Sequence, residues 1–163
     1  MKILNHHQID QKLQRLAYEI LEENHKVKQL YFLGINNSGY SFGEMLKNRY
    51  DKVSGKESLL GRVVLNPAEP TSEEVSLDLK TSLNGKHVII VDDVANTGRT
   101  LFYAIKPILE YLPKKVEAAV LVDRKHKRFP IKVDYVGLSL ATTLKENINV
   151  SLSKSGQLSA YLR

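Results

Sequence analysis

The stretch Val88-Ile89-Ile90-Val91-Asp92-Asp93-Val94-Ala95-Asn96-Thr97-Gly98-Arg99-Thr100 decides how this chain is read. Four consecutive apolar residues predict a buried strand, and two adjacent carboxylates stand at its end. A turn of small, hydroxyl- and amide-bearing residues follows, and a helix begins directly after it. In an open α/β sheet, ligands bind in the crevice beyond the carboxyl ends of the strands. The strand therefore places a site there. The acids suit hydroxyl groups or a metal ion, and the turn offers backbone N–H groups to a phosphate. An alternative exists for the acids alone, because Asp and Thr before a helix also serve as plain caps for orphan N–H groups.

Working outward, residues 9–21 carry apolar side chains at helical spacing (Ile9, Leu13, Leu16, Ala17, Ile20 and Leu21). A short strand over 29–33 runs into Gly34-Ile35-Asn36-Asn37-Ser38-Gly39, and a second helix is expected over 40–49. This repeats the strand–turn–helix order of the opening stretch, as a parallel sheet requires. Residues 59–65 read as a strand. The polar, two-proline stretch 66–74 reads as an exposed, mobile loop, and 75–79 as an edge strand. A helix over 101–112 is expected to kink at Pro107. Strands follow over 116–122 and 132–138. A closing hairpin is expected from 148–152 and 158–162, turning through Ser155-Gly156. The fold class is α/β, with a central, mostly parallel sheet flanked by helices.

With 163 residues and 42% hydrophobic content, the chain supports one core, so residues 1–163 are expected to form a single domain. The absence of cysteine excludes disulfides and thiolate zinc sites, and the five histidines show no metal-ligand spacing. No apolar run approaches the roughly 20 residues of a membrane helix, and the start lacks a signal-peptide core, so a cytoplasmic protein with no membrane partner is expected. The net charge of +6 suits either an anionic small molecule or a nucleic acid. Its densest run is Arg124-Lys125-His126-Lys127-Arg128, which also fits a merely solvated surface. Neither a Walker-type phosphate loop nor G-x-G-x-x-G is present, which disfavours kinase-like and dinucleotide readings.

The 88–100 stretch resembles the signature of type I phosphoribosyltransferases, which use 5-phosphoribosyl 1-diphosphate (PRPP). The second half is similar to one branch, the bifunctional pyrimidine operon attenuators that also act as uracil phosphoribosyltransferases. Leu121-Val122-Asp123-Arg124, His126, Pro130-Ile131 and Asp134-Tyr135-Val136-Gly137 carry that likeness. It spans nearly the whole chain and is sharpest over about residues 87–137.

The resemblance implies the type I fold with a flexible loop and a small hood. Asp92 and Asp93 are then the catalytic pair that holds the ribose hydroxyls and, through water, a Mg²⁺ cofactor. Ala95, Asn96, Thr97, Gly98, Arg99 and Thr100 complete the PRPP site around the 5′-phosphate. Asn36, Asn37, Ser38 and Gly39 face pyrophosphate, loop 66–74 closes as a lid, and Arg124, Tyr135 and Val136 contact the base. The implied activity is transfer of phosphoribose from PRPP to a nucleobase, uracil first, giving UMP and pyrophosphate in a homo-oligomer. Two alternatives remain open: an RNA-binding pyrimidine regulator that senses nucleotides in this pocket, and transfer to orotate or a purine.

Two stretches depart from the family's pattern. Asn37-Ser38 stand where a basic residue usually precedes the last glycine of the pyrophosphate turn. Residues 66–74 contain Glu69, Glu73 and Glu74 but no cation.

Overall fold

The computed structural model describes residues 1–141, 146–152 and 156–163. The chain runs β1 (Lys2–Leu4), α1 (His6–Glu23), β2 (Leu30–Ile35), α2 (Asn36–Ser54), β3 (Leu59–Val64) and β4 (Ser76–Asp78). It continues through β5 (His87–Ala95), α3 (Arg99–Ala104), a 3-10 helix (Lys106–Glu110), β6 (Lys115–Arg124), β7 (Tyr135–Leu140), β8 (Ile148–Ser151) and β9 (Ser159–Leu162). Six strands form one sheet in the order β4-β3-β2-β5-β6-β7, parallel except for the antiparallel edge β4. A separate antiparallel sheet has the order β1-β9-β8.

Local chemistry explains several boundaries. Asn5 caps α1: its Oδ1 accepts the Gln8 N–H, and the Gln8 side chain accepts the Asn5 N–H in return. The buried face of α1 (Ile9, Leu13, Leu16, Ala17, Ile20) matches the apolar spacing in the sequence. It packs with α2, Phe32, Ile89, Val91 and Leu121 on one side of the large sheet. Val88, Ile90, Val120, Leu101 and Ile108 fill the other side. Emptying one such position, as in Leu16→Ala, costs about 2–5 kcal/mol.

Three expected elements need correction, and the structure adds a strand that the sequence does not show. The second helix begins at Asn36, not residue 40, because Asn36 takes a left-handed φ of 52° and turns β2 straight into the helix. Its Oδ1 accepts the Leu65 N–H, which ties that turn to the end of β3. The helix after the acids is only six residues of α-helix. Pro107 has no N–H for the Tyr103 carbonyl, so the chain tightens into 3-10 turns. β7 starts at Tyr135 rather than 132, since the Asp134 carboxylate accepts the Ala118 N–H at the strand's entrance. Strand β1 has too short a pattern to be seen in the sequence; its partner β9, at the far end of the chain, creates it. The terminal strands do pair antiparallel as expected, while Ser155 of the expected turn lies outside the described residues.

Leu152, Leu158 and Ala160 join the α1–α2 core, so the small sheet sits over the carboxyl end of the large one. Ile148 of β8 lines a cleft there together with Asp92 and Asp93. No helix among the described residues is long and apolar enough to cross a membrane.

Candidate active site

Strand β5 carries Asp92 and Asp93 into that cleft, a space of about 270 Å³ also bordered by Asn36, Ser38, Asn96 and Thr100. Asp92 is buried at 8% exposure. Its Oδ1 accepts the Asp93 N–H at 2.9 Å, and Asp93 Oδ1 accepts the Val94 N–H at the same distance. Among the described residues, neither carboxylate has a basic side chain as partner. Burial, and then the neighbouring Asp93 charge, push the Asp92 carboxyl well above its ordinary range. An acid held in this way waits for a cation or a hydroxyl donor.

The approach of α2 to the doublet depends on Gly39. A Cβ at this position would stand 2.7 Å from the Val91 carbonyl oxygen and 3.2 Å from Asp92 Oδ1. The first turn of α2 has no side-chain cap, so its N–H groups, including those near Ser38, are left to solvent or ligand. Asn36 lines the cleft, but its side-chain oxygen is spent on Leu65.

The turn after the doublet borders a second, adjoining cleft of about 420 Å³, formed by residues 94–101 with Pro67, Arg128 and Phe129. Gly98 adopts φ 88°, and a side chain there would collide with Ile131. A clasp holds the turn from outside. Lys127 Nζ donates to the Asn96 carbonyl at 3.0 Å, to Asp123 Oδ1 at 2.5 Å and to the Arg124 carbonyl. The Arg128 and Phe129 N–H groups donate to the Thr97 carbonyl. Nothing in the sequence singles out Lys127 for this task. Its spacing of four from Asp123 is the only signal, and it is hidden inside a charge run.

Arg99 turns away from its own loop: its Nη2 donates to the Pro67 carbonyl at 2.6 Å and, more weakly, to that of Ala68. The 66–74 loop is thus exposed as expected but anchored at its start. Arg124 Nη1 donates to Asn96 Oδ1 at 3.2 Å, beside a cleft of about 290 Å³ shared with Thr97, His126 and Arg128.

Tyr135 and Val136 are not brought to these clefts. The Tyr135 hydroxyl is buried against Glu117 and Asn24, and Arg15 donates to the Val136 and Gly137 carbonyls along the free edge of β7. Asn37 is exposed on α2 and borders none of them either. Pro67, from the loop expected to act as a lid, lines the site, and so do Arg128, Phe129 and Ile148, which the sequence does not assign to it. Nothing local marks the last three, because separate segments deliver them.

The phosphoribosyl transferase domain model matches residues 1–153. This chain belongs to that family. The phosphoribosyltransferase is 35% identical over 159 residues to the bifunctional protein PyrR of Macrococcus caseolyticus, covering 93% of this chain and 91% of that one. It is 36% identical over 143 residues to the pyrimidine operon regulatory protein of Lactococcus lactis subsp. lactis, covering 86% and 83%. Among solved structures, a Bacillus anthracis hypoxanthine-guanine phosphoribosyltransferase superposes with a TM-score of 0.74 at 17% identity, over 86% of this chain and 82% of that one. The Trypanosoma cruzi hypoxanthine phosphoribosyltransferase gives 0.75 at 20%, over 86% and 81%. At such identities the structural likeness speaks for the fold alone, the type I arrangement of a mostly parallel sheet.

Proposed function

We propose that this phosphoribosyltransferase moves the 5-phosphoribosyl group of PRPP onto uracil, forming UMP and releasing pyrophosphate. The observation that carries the reading is the Asp92–Asp93 pair, with Asp92 buried and neither carboxylate met by a basic side chain among the described residues, in a cleft bordered by Asn36 and Ser38 of one turn and Asn96 and Thr100 of the other. In this reading the two carboxylates accept hydrogen bonds from the ribose 2′- and 3′-hydroxyls. The 95–100 turn, held by Lys127, binds the 5′-phosphate. The start of α2 receives the pyrophosphate. As the bond from the anomeric carbon to pyrophosphate breaks, positive charge grows on the sugar, and the nearby carboxylates stabilise it. A ring nitrogen of the base then forms the new bond to that carbon with its lone pair and gives up its N–H proton, which leaves to the released pyrophosphate or to water. The residues chiefly position the reactants and keep water out.

The donor set fits Mg²⁺, which needs only one or two carboxylates beside substrate phosphates. Among the described residues no group of three or more His, Asp or Glu side chains forms a closed protein cage for a metal. When bound, Mg²⁺ supplies positive charge to the diphosphate. Uracil leads because the Lactococcus relative is a pyrimidine operon regulatory protein, and the hypoxanthine enzymes share only the fold. Incubating the purified chain with PRPP, Mg²⁺ and each base in turn tests this. UMP formation supports it, and turnover of a purine or orotate in place of uracil overturns the base assignment.

A second reading, RNA-binding regulation of pyrimidine genes, draws on the name of the Lactococcus relative and on the basic 124–128 segment, which lines a cleft with Asn96 and Thr97. Phosphate neutralisation would make such binding weaken steeply with salt. Retention of pyrimidine-leader RNA at low salt, lost on raising it, is the expected result. A homo-oligomer is part of the same proposal and is read directly by sedimentation.

A further inference from the structure

Behind the α2 turn lies a separate pocket of about 310 Å³, lined among others by Tyr40, Gly61, Arg62, Asp78 and Lys80. None of its lining residues borders the Asp92–Asp93 cleft. Arg62 sits inside β3, paired in register with Gly34 on one side and Asp78 on the other. Its guanidinium lies over the Tyr40 ring, 4.1 Å from Cζ to the ring centre, and this stacking fixes its orientation. Its Nε is buried with no hydrogen-bond partner. Burying a charged N–H without an acceptor is unfavourable, and native proteins nearly always supply one. Asp78, across the ladder, forms no ion pair with it, and the exposed Lys80 ammonium also has no carboxylate partner among the described residues.

We propose that this pocket is a second anion site, which takes a small oxyanion of the phosphate class. A guanidinium offers a planar fork of donors that matches two oxygens of such an ion, and the lysine adds a mobile point charge. The two cations outnumber the single rim carboxylate of Asp78, which is exposed to water. The site goes beyond the transfer reaction proposed above and does not rest on it.

The experiment is a titration of the ¹⁵N-labelled full chain with inorganic phosphate, without Mg²⁺ or PRPP, following each amide. Saturable shifts at Gly61, Arg62 and Lys80 are expected. Arg62→Met should weaken them about tenfold or more, the loss of at least one charge-assisted bond. Lys80→Met should weaken them less, and Arg99→Met should leave them unchanged. Shifts confined to residues 95–100, or the same affinity in Arg62→Met as in the parent, overturn the proposal. Should Arg62→Met lose its dispersed spectrum, Lys80→Met decides: unchanged affinity there counts against the site.

Discussion

The two ends of the central sheet treat buried charge in opposite ways. At the carboxyl end of β5, Asp92 and Asp93 lie together with no basic side chain to answer them among the described residues. At the opposite end of β6 and β7, Glu117 accepts the Tyr135 hydroxyl at 3.0 Å and pairs with Lys115 at 3.2 Å. There Asn24 donates to Ile20, Glu117 and Tyr135, leaving only its own Oδ1 without a partner. Burial, and then the Glu117 charge, push the Tyr135 phenol upward, so it stays a donor. At one end the Glu117 carboxylate, which borders a surface pocket with Tyr135, is answered by the protein's own groups. The other is left for a ligand, because a charge satisfied internally has nothing left to offer a substrate.

Substitutions at the two ends should therefore separate activity from stability. The largest effect is expected from Asp93→Asn, which removes charge from the proposed ribose-binding pair. Each charge-assisted bond there is worth about 1.5–3 kcal/mol, so kcat/KM should drop by about 10- to 100-fold for each bond removed. A product assay with PRPP and uracil reads this, and full activity would break the contrast. Gly39→Ala comes next: the added methyl meets the Val91 backbone, and a cost of about 1–3 kcal/mol should show in urea unfolding.

Tyr135→Phe should cost about 1–2 kcal/mol by removing the hydroxyl that bonds Glu117 and Asn24, with kcat/KM unchanged. Lost activity would mean that the internally paired end serves the reaction too. Lys127→Met should loosen the 95–100 turn, raising KM for PRPP more than it lowers kcat, at a similar or smaller loss of stability. The smallest effect is a gain. Asp92 holds its proton more tightly folded than unfolded, so ligand-free stability declines as pH rises from the ordinary carboxyl range through the raised folded value. Asp92→Asn removes that penalty. Its melting temperature should exceed the parent's by a margin that widens with pH and vanishes in acid.

The apolar face of α1 and the buried run of β5 were legible because each signal is contiguous or periodic within one element. The first turn of α2 was not. Asn-Asn-Ser-Gly has poor helix propensity, and the helix starts there only because Asn36 is tied to Leu65 and Gly39 nests on Val91. Lys127 looked like one cation among several until the fold brought the Asn96 carbonyl to it. Tyr135 sat in a family motif, yet its side chain belongs to the opposite end of the sheet.

By itself the amino-acid order determined the alternation of strands and helices and the doublet at a strand's end, since these depend on side-chain periodicity and on neighbours in the chain. Tertiary structure alone decided what surrounds the doublet: Ile148 from the small sheet, Pro67 from the loop anchored by Arg99, and the Lys127 clasp. Those groups come from distant segments, and only packing sets the distances between them.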